Sequence, residues 1–221
     1  MAWHDGPLAA LDFETTGVDP RHDRVVSFAL IDGDATREGL VDPGVPIPAA
    51  ASAVHGLDAE AVRGAPRSER VIDDAARWVD GLVERSVPLV VFNAAYDLTM
   101  LAAECRRHGL REPEWSRLVV VDPFVVDWGL NPRLRGQRRL GDVAQRLGVV
   151  LENAHDALSD ARAAADVARA QASDPRLAGL SVKELMERQR RWHAAKAEDW
   201  NRWARQNNRA LDDLAAWPLT R

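Results

Sequence analysis

Two carboxylates stand one residue apart at the end of an apolar segment near the start of the chain. In the stretch LAALDFETTG, Asp12 and Glu14 follow a run of apolar residues and come just before a Thr-Thr-Gly turn. Residues i and i+2 of a strand point to the same side, so both acids share one face of the strand that this segment predicts. A buried carboxylate is costly without a cation or several hydrogen bonds. Taken alone, the pair fits either a metal site or two exposed strand acids.

Further acids occur in two later segments. Asp97 lies in NAAYDLTML, directly after a predicted buried strand, and Asp160 lies in HDALSDA on a predicted helix rich in small residues. His155 precedes Asp160 by five positions and could therefore reach the same cleft. Structural alternatives exist, because Asp97 suits the first turn of a helix and Asn93 suits a turn. Asp156 is predicted to cap the helix or lie in its first turn.

Together, the four acids and the histidine predict phosphoryl chemistry. Hard divalent ions such as Mg²⁺ prefer oxygen ligands. Two such ions about 3.5–4 Å apart can stabilise both the attacking and the leaving oxygen of a phosphoryl displacement. A neutral histidine can accept a proton from the attacking water at physiological pH. We therefore expect a hydrolytic site with two divalent ions, Mg²⁺ or Mn²⁺, since both ions accept oxygen-rich sites.

These motifs resemble those of the DEDDh 3′–5′ exonucleases. DFETTGVDP is similar to the first motif of that family, NAAYDLTML to the second and HDALSDA to the third, and the resemblance runs from about Leu8 to Ala172. It implies an RNase H-like fold and the release of nucleoside 5′-monophosphates from a 3′ end. It also implies that His155 is the general base, that Asp12 bridges the two metals, and that the metal ligands are Asp12, Glu14, Asp97 and Asp160.

The resemblance also suggests substrate contacts. AVHGLDAE is similar to a V-H-G-[IL] segment of the family, which places His55 and Leu57 in the pocket of the terminal nucleotide. Thr15 and Thr16 would lie beside the terminal sugar, and Asn93 is a further candidate contact. For His55, a loop histidine that bonds to the backbone is an equal alternative.

An arginine cluster in NPRLRGQRRLGD is predicted beside the cleft, where it could hold phosphates of the incoming strand. Arg138 is the candidate singled out from it. Since Lys183 and Lys196 are the only lysines of the chain, nearly every cation is arginine. A merely solvated loop is therefore an equal alternative.

Composition limits the class of protein. The 221 residues carry a formal net charge of −5, which argues against binding nucleic acid through a bulk positive field. Cys105 is the single cysteine, so no internal disulfide forms and a reducing compartment is expected. The N-terminus lacks the pattern of a signal peptide, and no apolar run approaches the roughly 18 residues that span a bilayer. We expect a cytoplasmic protein without a membrane segment.

The predicted elements form a mixed α/β sheet flanked by helices. Strands come first in a block, in PLAALDFE, RVVSFALID and TREGLVDPG, and then alternate with helices, in PLVVFN and LVVVDP. Residues 1–175 are predicted to form the exonuclease domain.

Residues 181–217 are predicted to form a long helical appendage that opens with a capping box, Ser181 with Glu184, and is closed by Pro218. An intermittent apolar stripe runs along it, formed by Trp192, Trp200, Trp203, Leu211 and Leu214. This stripe could pack on the catalytic domain, pair in a homodimer, or bind a partner such as a DNA polymerase III.

The sequence thus favours a 3′–5′ exonuclease on single-stranded ends, with DNA as the favoured substrate. An RNA-trimming exonuclease is the alternative, because telling RNA from DNA requires contacts to the 2′-OH. A polymerase-associated subunit that acts mainly through its C-terminal helix is a hypothesis of another class.

Overall fold

A five-stranded mixed sheet forms the centre of the protein in a computed structural model, which describes residues 3–213 and 215–220. Its strands are β1 (Ala9–Thr15), β2 (Val25–Asp32), β3 (Ala35–Leu40), β4 (Leu89–Val90) and β5 (Val120–Val121). They lie in the order β3-β2-β1-β4-β5. The first three strands pair antiparallel, whereas β4 and β5 join β1 in parallel. The predicted α/β class is confirmed.

Helices cover both faces of this sheet. They are α1 (Ala49–His55), α2 (Ser68–Arg85), α3 (Ala94–Arg107), α4 (Pro123–Leu130), α5 (Leu140–Leu147), α6 (Ala157–Ala172) and α7 (Val182–Gln206). Helices α2 and α3 pack together over one face, while α6 contacts β1 and β2 on the other. None of the helices in residues 3–213 and 215–220 is both long enough and apolar enough to cross a membrane.

Strand β1 is buried on both faces, as predicted. Ala9 and Leu11 belong to the core shared with α2 and α3, whereas Ala10 belongs to the core shared with α6. Since side chains alternate along a strand, Asp12 and Glu14 point to the α6 side, where Asp160 lies. A break in register after Glu14 then ends the regular pairing with β2.

Helix α4 was not anticipated from the sequence. Its N-cap is Asp122, whose side chain accepts hydrogen bonds from the backbone N–H groups of Phe124 and Val125, and Pro123 occupies the first helical position. An acid cap followed by proline is a recognised helix start, so the Asp-Pro dipeptide carried the signal. The apolar run VVVDPFVV concealed it.

The long helix starts with the predicted capping box of Ser181 and Glu184. It ends at Gln206, so the prediction that it continues to about Trp217 was wrong. Asn207 and Asn208 follow, and Asn208 adopts a positive φ of 50°. Asparagine is a weak helix former that tolerates this left-handed backbone, which explains the stop.

The chain after α7 folds back on the protein. The side chain of Asn201 donates to the Asp212 carbonyl at 2.9 Å, and Lys196 pairs with the Asp212 carboxylate at 3.1 Å. Trp217 is buried, and its indole N–H donates to Asp122 at 3.1 Å. Leu214 of the predicted stripe lies outside the described residues.

The first half of α7 is anchored to the sheet. Gln189 is fully buried, accepts from the N–H of Asp122 at 2.6 Å and donates to the carbonyl of Val120 at 3.0 Å. Trp192 packs so closely on Gly129 of α4 that a Cβ there would overlap the indole ring. Only glycine fits at that position. The division of the chain into units of 1–175 and 181–217 stays a prediction.

Candidate active site

A cleft of about 550 Å³ opens at the sheet edge where β1 and β4 end. All five predicted catalytic residues line it: Asp12, Glu14, Asp97, His155 and Asp160. Asn93 and Arg138 lie on the same cleft. The structure therefore brings together residues that are separated by almost 150 positions in the chain.

Asp97 is held in place by the strand beside it. The backbone N–H of Phe13 in β1 donates to Asp97 Oδ1 at 3.1 Å, and this contact is buried. The turn from β4 into α3 passes through Asn93, whose φ is 64°. The N–H groups of Asn93 and Ala94 donate to the Asp122 carboxylate at 2.9 and 3.0 Å. Asp122 thus supports the start of the helix that carries Asp97.

The loop before α6 directs His155 and Asp160 toward β1. Asp156 is the N-cap of α6, as predicted, and accepts from the N–H of Ser159 at 2.9 Å. His155 has a φ of 67°, and its N–H donates to Asp160 Oδ2 at 3.3 Å. Ligand atoms of Glu14, His155 and Asp160 all lie within 4.8 Å of one another. Such spacing suits a shared cation.

The acids at the cleft fit a metal ligand set. Asp160 Oδ1 is buried and has no hydrogen-bond partner among residues 3–213 and 215–220. A buried oxygen without a donor is unfavourable unless a ligand satisfies it. Because carboxylate oxygens are what hard divalent ions prefer, a cation would provide that missing partner.

Burial and mutual repulsion raise the pKa of each acid in the cleft. Burial, then the charges of Asp160 and Asp156, raises the pKa of Glu14 to about 8. The pKa of Asp160 is raised to about 6 by burial, although the N–H of His155 opposes this. For Asp12 and Asp97 burial raises the pKa well above its usual range. Neighbouring carboxylates, including Asp97 and Asp160, add to the rise at Asp12.

These shifts predict opposite pH dependences with and without metal. In chelator, the folded protein keeps a proton on Asp160 up to a pH of about 6 and on Glu14 up to about 8, whereas the unfolded chain releases both at lower pH. The free energy of unfolding should therefore fall as pH rises from about 4 to about 8. Metal binding expels these protons, so the affinity for Mg²⁺ should rise over the same interval. The melting temperature in Mg²⁺ should exceed the melting temperature in EDTA, and this difference should increase with pH.

Glu14→Gln is the control for this measurement, since it removes the acid whose pKa is raised to about 8. For Glu14→Gln, the difference in melting temperature between Mg²⁺ and EDTA should be smaller than for the wild type. It should also increase less above a pH of about 6, the pKa of Asp160. A wild-type difference that is the same at low and high pH would contradict the assignment.

The threonine hydroxyls after β1 already have protein partners. Thr15 Oγ1 lies 2.6 Å from the hydroxyl of Tyr96. Thr16 Oγ1 donates to Asp23 at 3.0 Å and accepts from the N–H of Arg24 at 3.0 Å. Both hydroxyls therefore shape the loop that follows the strand. Their contact with a substrate sugar stays a prediction. The hydrogen bonds within the protein do not favour it, because they already occupy both hydroxyls.

His55 and Leu57 lie beside a smaller cavity of about 260 Å³, which shares His155 with the cleft. The N–H of Leu57 donates to His55 Nδ1 at 3.1 Å, so the histidine does bond to the backbone of its loop. Burial lowers the pKa of His55, and a hydrogen bond with the Thr15 backbone only partly offsets this effect. The predicted nucleotide-pocket residues thus border His155, and their role in binding stays a prediction.

The arginine loop presents a different residue from the one expected. The side chain of Arg138 is only 7% exposed, and its guanidinium binds Asp127 Oδ2 at 2.7 Å and the carbonyls of Asn131 and Leu134 at 2.6 and 3.0 Å. These contacts hold the loop and leave little of the guanidinium for a phosphate. Arg139 is exposed on the cleft and forms no ion pair within residues 3–213 and 215–220. It is the better candidate for a phosphate contact.

An aromatic wall of the cleft was missed at the sequence level. Phe92 and Phe124 both line the cleft, with ring centroids 5.8 Å apart and planes tilted by 59°. Phe92 is the last apolar residue of a segment that reads as a buried strand. Phe124 follows the Asp-Pro helix start described above, which was the available signal.

The fold and this site define a nuclease of the RNase H-like class. A family model described as an exonuclease matches residues 9–168, and the chain belongs to that family. Its acids and histidine make it a 3′–5′ exonuclease of the DEDDh type. This confirms the resemblance inferred from the motifs. Members of the family depend on divalent metal ions.

Curated relatives are similar across the exonuclease region. The chain is 29% identical over 164 residues to DNA polymerase III subunit epsilon of Treponema pallidum (strain Nichols), covering 70% of this chain and 71% of that protein. It is 26% identical over 173 residues to a PolC-type DNA polymerase III of Listeria innocua serovar 6a. That match covers 76% of this chain but only 11% of the PolC-type protein.

Solved structures share the fold. Exonuclease I of E. coli in complex with a dA16 oligonucleotide has a TM-score of 0.64 and 20% identity, covering 78% of this chain and 42% of that one. Exonuclease X in complex with 5′ overhanging duplex DNA has a TM-score of 0.60 and 20% identity, covering 82% of this chain and 99% of that one.

Proposed function

We propose that this exonuclease removes nucleoside 5′-monophosphates from the 3′ end of single-stranded nucleic acid, with DNA as the preferred substrate. The convergence of four carboxylates and a histidine on one cleft is the observation that carries the proposal. The names of the relatives favour DNA, because they are subunits or forms of a DNA polymerase and an exonuclease in complex with a DNA oligonucleotide.

Two divalent ions, Mg²⁺ or Mn²⁺, fit the acids of the cleft. Asp12, Glu14, Asp97 and Asp160 would hold them, and the buried, unsatisfied Asp160 Oδ1 is the contact that most needs one. Bound there, the ions would stabilise negative charge on the attacking and leaving oxygens of the phosphodiester. Their binding would also offset the repulsion among the acids that raises the pKa of Asp12.

The chain's own residues would divide the remaining work. The imidazole of His155, exposed at the mouth of the cleft, would accept the proton of the attacking water. Arg139 would hold a phosphate of the strand, since this residue lines the cleft, is exposed and forms no ion pair in the described ranges. Phe92 and Phe124, which are half-buried in the cleft wall, would contact bases, because an aromatic ring can stack on any base.

Digestion of matched DNA and RNA strands tests this function. With Mg²⁺ present, a single strand of DNA labelled at its 5′ end should shorten stepwise, and RNA of the same sequence should shorten more slowly. Faster digestion of RNA would make RNA trimming the function. Cleavage inside the strand, or shortening from the 5′ end, would contradict the proposal as a whole.

Substitution of His155 should slow turnover without weakening metal binding. His155 has a φ of 67°, a backbone conformation that asparagine tolerates better than alanine does. We therefore choose His155→Asn and not His155→Ala. We expect kcat to fall by about 10²–10⁴-fold, the usual contribution of general acid–base catalysis. Mn²⁺ affinity, measured by calorimetry, should change little. A loss of affinity as large as the loss of kcat would make His155 a metal ligand instead of a base.

Association with a DNA polymerase III is a second proposal. Its support is the similarity to an epsilon subunit over 71% of that protein's length. Pairing of two copies through the C-terminal helix remains an alternative use of the same region. A cytoplasmic location belongs to the proposal too, and the buried free thiol of Cys105 is compatible with the reducing compartment that it implies.

A further inference from the structure

Two tryptophans lie exposed side by side near the end of α7. Trp200 is 44% exposed and Trp203 is 46% exposed, and their ring centroids are 4.9 Å apart with planes tilted by 41°. Large exposed aromatic pairs are unusual on a soluble surface and mark contact sites. Trp203 forms no side-chain hydrogen bond in the described part of the chain, so its indole is held only by packing, which includes the ring of Trp200.

The two tryptophans lie on the flank of α7 that also contacts the wall of the active-site cleft. On the same side of α7, Lys196 Nζ lies 5.6 Å from the ring centre of Phe124, which lines the cleft. Trp200 follows Lys196 by four residues and Trp203 by seven, a spacing that keeps all three side chains on one flank of a helix. Trp203 therefore lies about 10 Å further along the helix axis than Lys196.

The charges at this end of α7 suit a polyanion. Arg205 and Arg209 are exposed and form no ion pair in residues 3–213 and 215–220. Two of the nearby acids are already paired, Asp199 with Arg202 and Asp212 with Lys196. Exposed aromatic rings next to free arginines are the combination that binds single strands without sequence preference.

We propose that Trp200 and Trp203 form a stacking platform for nucleotides on the 5′ side of the terminal nucleotide. The strand would leave the cleft past Phe124 and Lys196 and stack its bases on the two indoles. The inference rests on the proposed exonuclease function and adds to it a second contact site. It predicts that long substrates bind more tightly than short ones because of α7.

Trp203→Ala in the full chain tests the platform. With a DNA single strand of about 20 nucleotides, KM should rise about tenfold while kcat is retained, which corresponds to the loss of one base stack. With a dinucleotide, which cannot reach α7, kcat and KM should both be unchanged. Trp203→Phe should behave like the wild type, since phenylalanine also stacks. Val45→Ala, which trims an exposed apolar side chain elsewhere, is the control.

A stacking role for Trp203 differs measurably from a structural role and from a contact between two copies. An unchanged KM for the long strand, with normal dinucleotide hydrolysis, would overturn the platform and leave the exonuclease function intact. An equal change for both substrates would show that Trp203 acts through the fold.

A halved mass in solution for Trp203→Ala would identify the pair as the contact between two copies. If the wild type digests neither substrate, anisotropy of a labelled long strand still decides, because Trp203→Ala should bind it about tenfold more weakly.

Discussion

Asp12→Asn should abolish nucleotide release and at the same time stabilise the metal-free protein. Burial raises the pKa of Asp12, and the charges of Asp97, Asp160 and Glu14 raise it further. Without it the metal ions lose a shared ligand, and Lewis-acid stabilisation of several kcal/mol corresponds to a fall in kcat of about 10³-fold or more. An amide in the same place carries no charge, so the repulsion among the remaining acids is reduced.

Melting temperatures and a digestion assay together check this result. In EDTA, Asp12→Asn should melt at a higher temperature than the wild type, whereas added Mg²⁺ should raise the melting temperature of the wild type alone. Asp156→Asn is the matched control, because asparagine also caps a helix and Asp156 is an exposed acid at the N-cap of α6, near the cleft. Wild-type turnover by Asp12→Asn would remove this acid from the mechanism.

Asp122→Ala should cause a large loss of stability. Its carboxylate is fully buried and accepts from the N–H groups of Asn93, Ala94, Phe124 and Val125 and from the indole of Trp217. Each buried donor left without a partner costs about 1–3 kcal/mol, so the free energy of unfolding should fall by about 4 kcal/mol or more. Chemical denaturation of the two proteins in EDTA would measure the difference.

The same substitution should weaken the active site indirectly. Asp122 ties the start of α3, which carries Asp97, to α4 and to the C-terminal segment. Asp58→Ala is the control, since Asp58 also accepts two backbone N–H groups, at 2.9 Å each, but is exposed. That change should cost less than about 1 kcal/mol, the usual net worth of exposed hydrogen bonds. A similar loss for both variants would contradict the role assigned to Asp122.

The site could be predicted from the sequence where the local periodicity of an element determines the direction of its side chains. The two-residue repeat of a strand places Asp12 and Glu14 on one side, and the buried run before them locates the sheet edge. The motif resemblance then linked these acids to Asp97, His155 and Asp160. The structure agrees, because all five side chains line one cleft.

The sequence did not predict features that depend on a contact with a residue elsewhere in the chain. Arg138 and Arg139 are neighbours in the sequence, and it is Arg138 that turns inward, to the buried carboxylate of Asp127 and the carbonyls of Asn131 and Leu134. The path of the chain after Gln206 was likewise set by partners far away, since Trp217 reaches Asp122 across 95 positions. Neither contact leaves a local pattern in the sequence.

An anomalous difference map from crystals soaked in Mn²⁺ would test the proposed metal centre most directly. We expect two peaks in the cleft, in contact with the carboxylates of Asp12, Glu14, Asp97 and Asp160 and lost together in Asp12→Asn. Manganese bound only elsewhere on the surface, with these carboxylates left uncoordinated, would contradict the proposed centre.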